Sequence, residues 1–501
     1  MEGDIKQEGC SLILKELITR GACLAIYPLH DDDALQTIQD RWLTYLEPPW
    51  AQPIDLVKDY FGEKVGMYFL FLGTYSTWLF YAGALGIVTY ALEIVPSPFA
   101  VWSTTFCGIF MSMWSTVFLE HWKSTQARAK MTWGMTGFED TEQDRTEFEG
   151  REIHSPFTNG FFMPFATRMN FIENHRTETA FEDNLIAKVF VFQFVNSYGA
   201  LFYVAMAQGP LSFTIGQSQP WKTQRFQCAP HCLNDVGALL GTIFIIRVVM
   251  GNWDEVIKPY LARLEKEYEI RKESENDDAE YENPSQPELM RKRQISPAEE
   301  QYEKHEYDSL SLFDDYAELV IQFGYATLFV SAFPLAPMFA CVNNFIEIRV
   351  DGWKMCQNTR RPWPAGAEDI GTWESILTIM SILATITNGM MITQTSSTFD
   401  TLPEQQRLVI FIVLEWILVG IKIVLMAALD DVPEDVEMQI ERQDFLISKI
   451  IGLERDEEKD LEDDELFEIE EPPVHASDPG IRDPNKKEGD EEGKEKDDKD
   501  D

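Results

Sequence analysis

Between Asp314-Asp315-Tyr316-Ala317-Glu318 and Glu347-Ile348-Arg349-Val350-Asp351 lies an uncharged stretch, Leu319 to Ile346, interrupted by Phe333-Pro334-Leu335-Ala336-Pro337. Two prolines three residues apart break a helix, because each removes a backbone donor and crowds the preceding turn. If both charged flanks are also helical, the stretch is a hairpin of two membrane spans turning near Pro334. That reading makes the total number of spans even.

The rest of the chain supplies the other spans. A helix needs about 20 apolar residues to cross a hydrocarbon core roughly 30 Å thick. Val65 to Leu92, Val95 to Leu119, Val189 to Trp221 and Ser375 to Phe399 carry no charge. Val236 to Trp253 contains only Arg247, and Leu408 to Leu429 contains Glu415 and Lys422. With the hairpin counted twice, the fold class is all-α: a multi-pass helical membrane protein of about eight transmembrane helices. The N-terminus opens polar and mixed in charge, unlike a cleaved signal.

Loop charges test the even count through the positive-inside rule. Lys58, Lys64, Lys123, Arg128, Lys130, Lys258, Arg263, Lys266, Arg349, Lys354, Arg360 and Arg361 fall on the side of the N-terminus, against Lys222, Arg225 and Arg407 opposite. Both termini are therefore expected in the cytosol. A single span at 319–346 would put Arg349 to Arg361 outside, which is the wrong sign. The organisation expected is an N-terminal cytosolic segment (1–63), a membrane domain (64–429) and an acidic, disordered tail (430–501). The 48 residues from Glu454 hold 23 acids and 8 bases, too little apolar surface for a core.

Composition narrows the function. The chain of 501 residues has 42 Lys and Arg against 84 Asp and Glu, a formal charge of −42, which excludes nucleic acid as a partner. Mean hydropathy of −0.21 averages the tail with blocks that no soluble domain carries. Seven scattered Cys do not make a disulfide scaffold. Cys228 and Cys232 flank His231 outside the cytosol, where a local or longer-range disulfide is one reading.

Carboxylates at span ends carry the chemistry, since each costs roughly 2.5–3.5 kcal/mol at membrane depth. Asp315 and Glu318 are spaced i,i+3, and Glu347 and Asp351 i,i+4, so each pair shares a helix face. The hairpin brings both pairs to one level, where Glu255 joins them, with Asn252 one turn before it. Five converging carboxylates need a neutralising cation. Hard oxygen donors without nearby His or Cys specify Ca²⁺. The alternative is a set of solvated caps paired with Lys258, Arg349 or each other. No nucleophile or activated-water motif accompanies these acids, so the chain is not read as an enzyme. Arg247 either lines an anion or headgroup pathway or pairs with a carboxylate. Glu415 with Lys422, and Gly237 with Gly241, read as helix packing.

The sequence resembles the anoctamin family. The strings that carry the likeness are Ile26-Tyr27-Pro28-Leu29-His30-Asp31, Tyr60-Phe61-Gly62-Glu63-Lys64, Trp114 to Lys123, Phe192 to Tyr198, Gln322-Phe323-Gly324-Tyr325 and Asn343 to Arg349. The texture resembles most the intracellular branch containing anoctamins eight and ten. The resemblance implies a homodimer with ten spans per subunit, acting as a Ca²⁺-activated chloride channel, a Ca²⁺-regulated phospholipid scramblase or a membrane-contact tether. It implies Ca²⁺ ligation by Glu255, Asp315, Glu318, Glu347 and Asp351, with Asn252 as a further match. Asp315 stands where Glu is usual in many relatives. The third and fourth spans are missing between Trp133 and Asn184, and in the family the fourth span helps to wall the groove.

The function expected is Ca²⁺-regulated transport of chloride or other anions, of phospholipid, or of both, past Arg247. Membrane lipids are then partners, and the site is the plasma membrane or the endoplasmic reticulum. The rival is a non-conducting tether at endoplasmic reticulum contacts, which the missing spans and acidic tail favour.

Overall fold

A helix stands at each of the eight expected spans. The computed structural model describes residues 23–44, 47–94, 100–142, 162–208, 232–251, 297–302 and 304–450, with a few isolated positions besides. Two short helices, α1 (Asp32–Trp42) and α2 (Ile54–Phe61), precede α3 (Glu63–Ile94) and α4 (Ala100–Trp133). Next come α5 (Phe162–Glu173), α6 (Glu178–Phe202) and α7 (Cys232–Ile246). The hairpin is α8 (Ser309–Leu328) and α9 (Ala336–Trp353), followed by α10 (Thr372–Met390), α11 (Glu404–Ala428) and α12 (Glu434–Ile450). The one β pairing among the described residues is an isolated bridge, His305 to Thr359.

Five of these helices are long and apolar enough to cross a membrane on length and composition: Glu63–Ile94, Glu178–Met206, Cys232–Gly251, Thr372–Thr395 and Glu404–Ala428. The other three expected spans, α4, α8 and α9, carry more polar residues and pack among them. α8 is the central element. Leu319, Val320, Phe323, Ala326, Leu328 and Phe329 are all at most 1% exposed, and the helix also carries Asp315, Glu318 and Gln322, polar groups that lipid would not accept.

The flanks of the quoted stretch are helical, as the hairpin requires: Asp314 to Glu318 lie in α8 and Glu347 to Asp351 in α9. Asp308 starts α8, its carboxylate accepting the Ser311 N–H at 2.9 Å. The turn closes through Phe333 N–H to the Val330 carbonyl and Ala336 N–H to the Phe333 carbonyl. Pro337 sits in the first turn of α9, where its missing donor costs nothing. The tip is wedged against α3 at Gly86, where any Cβ would strike the Pro334 carbonyl oxygen. Gly237 and Gly241 of α7 face Ala332 and Phe333, so the small-residue step is a packing surface for the same turn.

Two stretches differ from the sequence reading, one on each side of a short helix. α4 runs about four turns past its apolar block, through Gln126-Ala127-Arg128-Ala129-Lys130, because these are good helix formers. It stops at Gly134, whose φ of 71° is closed to most side chains. Phe162–Glu173 form a 12-residue helix, α5, too short to span. Residues 434–450, assigned to the disordered tail, form α12, with Glu434, Asp435 and Glu437 at its N-terminus and Lys449 in its last turn. Residues 451–501 lie outside the described residues. Contacts divide the chain into a unit ending at Arg442 and a second from Gln443, whose described part is the end of α12.

Candidate functional site

The ends of α8 and α9 that carry the acids meet, and a cation from the chain itself lies between them. Lys354, three residues beyond Asp351, donates from Nζ to Asp315 Oδ1 and to Asp351 Oδ1, each at 2.9 Å. The two outer oxygens are also taken. Tyr307 donates its hydroxyl to Asp315 Oδ2 at 2.6 Å, and Tyr68 of α3 donates to Asp351 Oδ2 at 2.6 Å. Burial, and then the charge of Asp315, hold the Tyr307 hydroxyl far above the ordinary phenol range, so it acts only as a donor. Asp351 is 3% exposed and is no solvated cap.

Glu347, one turn before Asp351, is buried in α9. The Tyr68 hydroxyl feels the charges of Asp351, Asp315 and Glu347 together. Glu318 points elsewhere, toward Arg247 of α7 at 3.6 Å, and that guanidinium also lies over the Tyr325 ring at 5.3 Å. Of the two readings of Arg247, the structure therefore displays the carboxylate pair. Arg349 turns away from the acids, stacking on Phe345 and donating to the Phe345 and Glu47 carbonyls. Asn252 and Glu255 lie outside the described residues.

The donor chemistry suits a hard cation, with carboxylates and phenol oxygens only. Among the described residues, however, no three His, Cys, Asp or Glu side chains are set to hold a metal ion together. Asp315 and Asp351 converge on one cation position, and Lys354 fills it.

The helix end that carries Lys354 is held from outside. α9 passes at Lys354 into a π-turn, Lys354–Asn358, and the Thr359 N–H returns to the Lys354 carbonyl at 3.1 Å. Thr359 is fixed in turn by the N-terminal string that contains His30. The His30 Nε2–H donates to the Thr359 carbonyl at 3.1 Å, which leaves Nδ1 to accept from the Tyr60 hydroxyl at 3.0 Å. Gln301 accepts the His30 backbone N–H, and Arg361 covers the Tyr60 ring at 4.0 Å while donating to the Tyr60 carbonyl. Burial lowers the His30 pKa, so the imidazole is neutral. Several loop cations counted for topology are thus structural clamps.

The sequence reading missed Lys354, Tyr68 and Tyr307 as members of the site. Lys354 had a legible signal, since i,i+3 from Asp351 puts it on the acidic face; it was counted only as a loop charge. Tyr68 had none, because α3 meets α9 only in three dimensions.

The family described as "Anoctamin: Calcium-activated chloride channel" matches residues 57–160 and 153–443, most of the chain. The chain belongs to the anoctamin family. Mouse anoctamin-5 is 28% identical over 551 aligned positions, covering 79% of this chain and 58% of that protein. Mouse anoctamin-4 is 27% identical over 537 positions (78% and 54%), and human anoctamin-1 is 27% identical over 559 (77% and 55%). The chain spans little more than half the length of these curated relatives. Their near-equal identities do not assign this anoctamin to one branch of the family. The family match falls in two pieces that meet at residues 153–160, inside the interval where the resemblance would place two further spans. An alignment of 551 positions drawing on 79% of 501 residues is likewise heavily gapped on this chain's side.

Proposed function

We propose that this anoctamin is a Ca²⁺-regulated membrane transport protein, a homodimer moving chloride or other anions, phospholipid headgroups, or both, and that it is not an enzyme. The observation that carries this reading is the convergence of Asp315 and Asp351, from the two arms of the hairpin, on a single cation position beside Glu347. The residues proposed to hold Ca²⁺ are Asp315, Glu318, Glu347 and Asp351, with Glu255 and Asn252 from the chain following α7. Bound Ca²⁺ would supply positive charge that offsets the mutual repulsion of these carboxylates. The residues do the rest. Tyr68 and Tyr307 hold the two aspartates in register, and Arg247 presents its guanidinium beside Glu318, where an anionic headgroup or chloride would exchange with that carboxylate. Both termini are assigned to the cytosol, at the plasma membrane or the endoplasmic reticulum.

The test is fluorescent-lipid scrambling and chloride efflux from proteoliposomes, with and without micromolar Ca²⁺, beside a Glu318→Gln, Glu347→Gln double variant. Ca²⁺-dependent flux that the double variant loses supports the reading. A folded, dimeric protein without flux of either kind refutes it. One observation favours a second reading, a non-conducting tether: the two-piece family match, which fits a chain without one groove wall. Vesicle bridging without flux would support it.

A further inference from the structure

We propose that Lys354 is a tethered counter-cation, which holds Asp315 and Asp351 together when no divalent ion is bound and must leave before one can enter. The inference rests on the site reading above and adds its regulation.

Three observations carry it. First, the ammonium touches one oxygen of each aspartate at 2.9 Å, from opposite arms of the hairpin, so it occupies the position a shared metal ion would take. A second cation cannot share that position, because like charges at contact distance in a buried site repel strongly. Second, Tyr307 and Tyr68 hold the remaining oxygens, so the aspartates stay aimed at the common point without help from Lys354. The pair is preorganised, and the lysine is the replaceable member. Third, Lys354 stands where α9 gives way to a π-turn, its N–H shared between the Asp351 and Val350 carbonyls. A π-turn inserts one residue relative to the α-helical register, and such turns recur at functional sites. At this junction the stem can swing without unwinding the helix that carries Asp351. The Lys354 side chain is 20% exposed while that of Asp351 is 4% exposed, so of the two it is the lysine that already meets solvent.

Charge counting agrees. Among the described residues, Asp315 and Asp351 share the single positive charge of Lys354, while Glu318 pairs with Arg247. A monovalent group there is a partial substitute that a divalent ion outcompetes once its concentration is high enough. Lys354 would thereby set the Ca²⁺ threshold of this chain.

The experiment uses the full chain in detergent with Ca²⁺ as the probe and does not rely on transport. Lysine footprinting with an amine-reactive ester, read by mass spectrometry, compares wild type with and without millimolar Ca²⁺. Labelling of Lys354 should rise several-fold with Ca²⁺, against unchanged labelling in an Asp315→Asn, Asp351→Asn variant. In parallel, thermal stabilisation by Ca²⁺ is titrated in wild type, Lys354→Met and Lys354→Arg. The midpoint should fall by about tenfold or more in Lys354→Met and stay near wild type in Lys354→Arg. Stabilisation of Lys354→Met while wild type stays silent would also support the proposal, as permanent occupancy. If Ca²⁺ stabilises wild type and Lys354→Met at the same midpoint, with Lys354 labelling unchanged, the proposal is overturned and the Ca²⁺ site stands. If Ca²⁺ affects none of the proteins, both fall together. The footprinting arm needs only wild type, so a Lys354→Met chain that fails to fold leaves the test intact.

Discussion

Asp351→Asn should be among the most damaging single-atom-scale changes in this protein, and its cost can be set from its two partners. Asp351 is 3% exposed and accepts from Lys354 Nζ at 2.9 Å and from the Tyr68 hydroxyl at 2.6 Å. Asn keeps one acceptor oxygen and turns an NH₂ toward the other donor. One charge-assisted hydrogen bond is then lost outright, at about 1.5–3 kcal/mol. Lys354 keeps Asp315 as its partner, so the full 3–5 kcal/mol for breaking a buried pair sets only a rough ceiling. We expect a destabilisation of about 2–4 kcal/mol in the absence of Ca²⁺. Glu318→Gln is the internal control. Its pair with Arg247 is longer, at 3.6 Å, with both side chains near 30% exposed, and should cost about 0–1 kcal/mol. The assay is unfolding of the purified full chain in detergent with chelator present, followed by tryptophan fluorescence. Equal effects of the two substitutions, or an Asp351→Asn chain as stable as wild type, would refute the claim that Asp351 anchors a buried network.

Further expectations concern sites away from the acids. Gly86→Ala should lower stability by about 1–3 kcal/mol despite better helix propensity, because its Cβ meets the backbone of Pro334, which cannot turn aside; thermal unfolding checks it. The buried Lys422 of α11 donates to the Ser381 carbonyl at 2.6 Å and hydroxyl at 2.8 Å. Ser381→Ala, which strips a partner from a buried ammonium, should cost about 1–3 kcal/mol, whereas Lys422→Met, which removes the charge altogether, should cost less; the reverse order in an unfolding comparison would contradict this. His30 has a folded-state pKa below its ordinary value near 6.5, so the unfolded chain binds the proton first. Its contribution is present above that value and is lost as pH falls through the window beneath it. Stability measured from neutral to mildly acidic pH should fall more steeply in wild type than in His30→Gln, and parallel curves would show that His30 does not report this linkage.

Much of the architecture was legible because it rests on solvent preference, a local property. Uncharged runs of span length, two prolines at Pro334 and Pro337, and an uneven distribution of Lys and Arg sufficed for the eight helices and the hairpin. The i,i+3 and i,i+4 spacings put Asp315 with Glu318 and Glu347 with Asp351 on common faces. Helical geometry guarantees that much without any tertiary contact. The extension of α4 to Trp133 and the helix at 434–450 were missed for a related reason. Both continue on polar helix formers after the apolar signal ends.

The sequence by itself determined that acids gather at the open end of a hairpin, away from its proline turn, and that some cation must meet them. Only the tertiary structure decided which one. Lys354 reaches Asp315 across 39 residues of chain, Tyr68 reaches Asp351 across 283, and Arg247 takes Glu318 from a third helix. Such partners are chosen by the packing of α3, α7 and the hairpin, where a buried charge must find compensation among whatever the neighbouring helices present. Charge at a position can be read along a chain, but its compensation depends on distances that only the folded bundle defines.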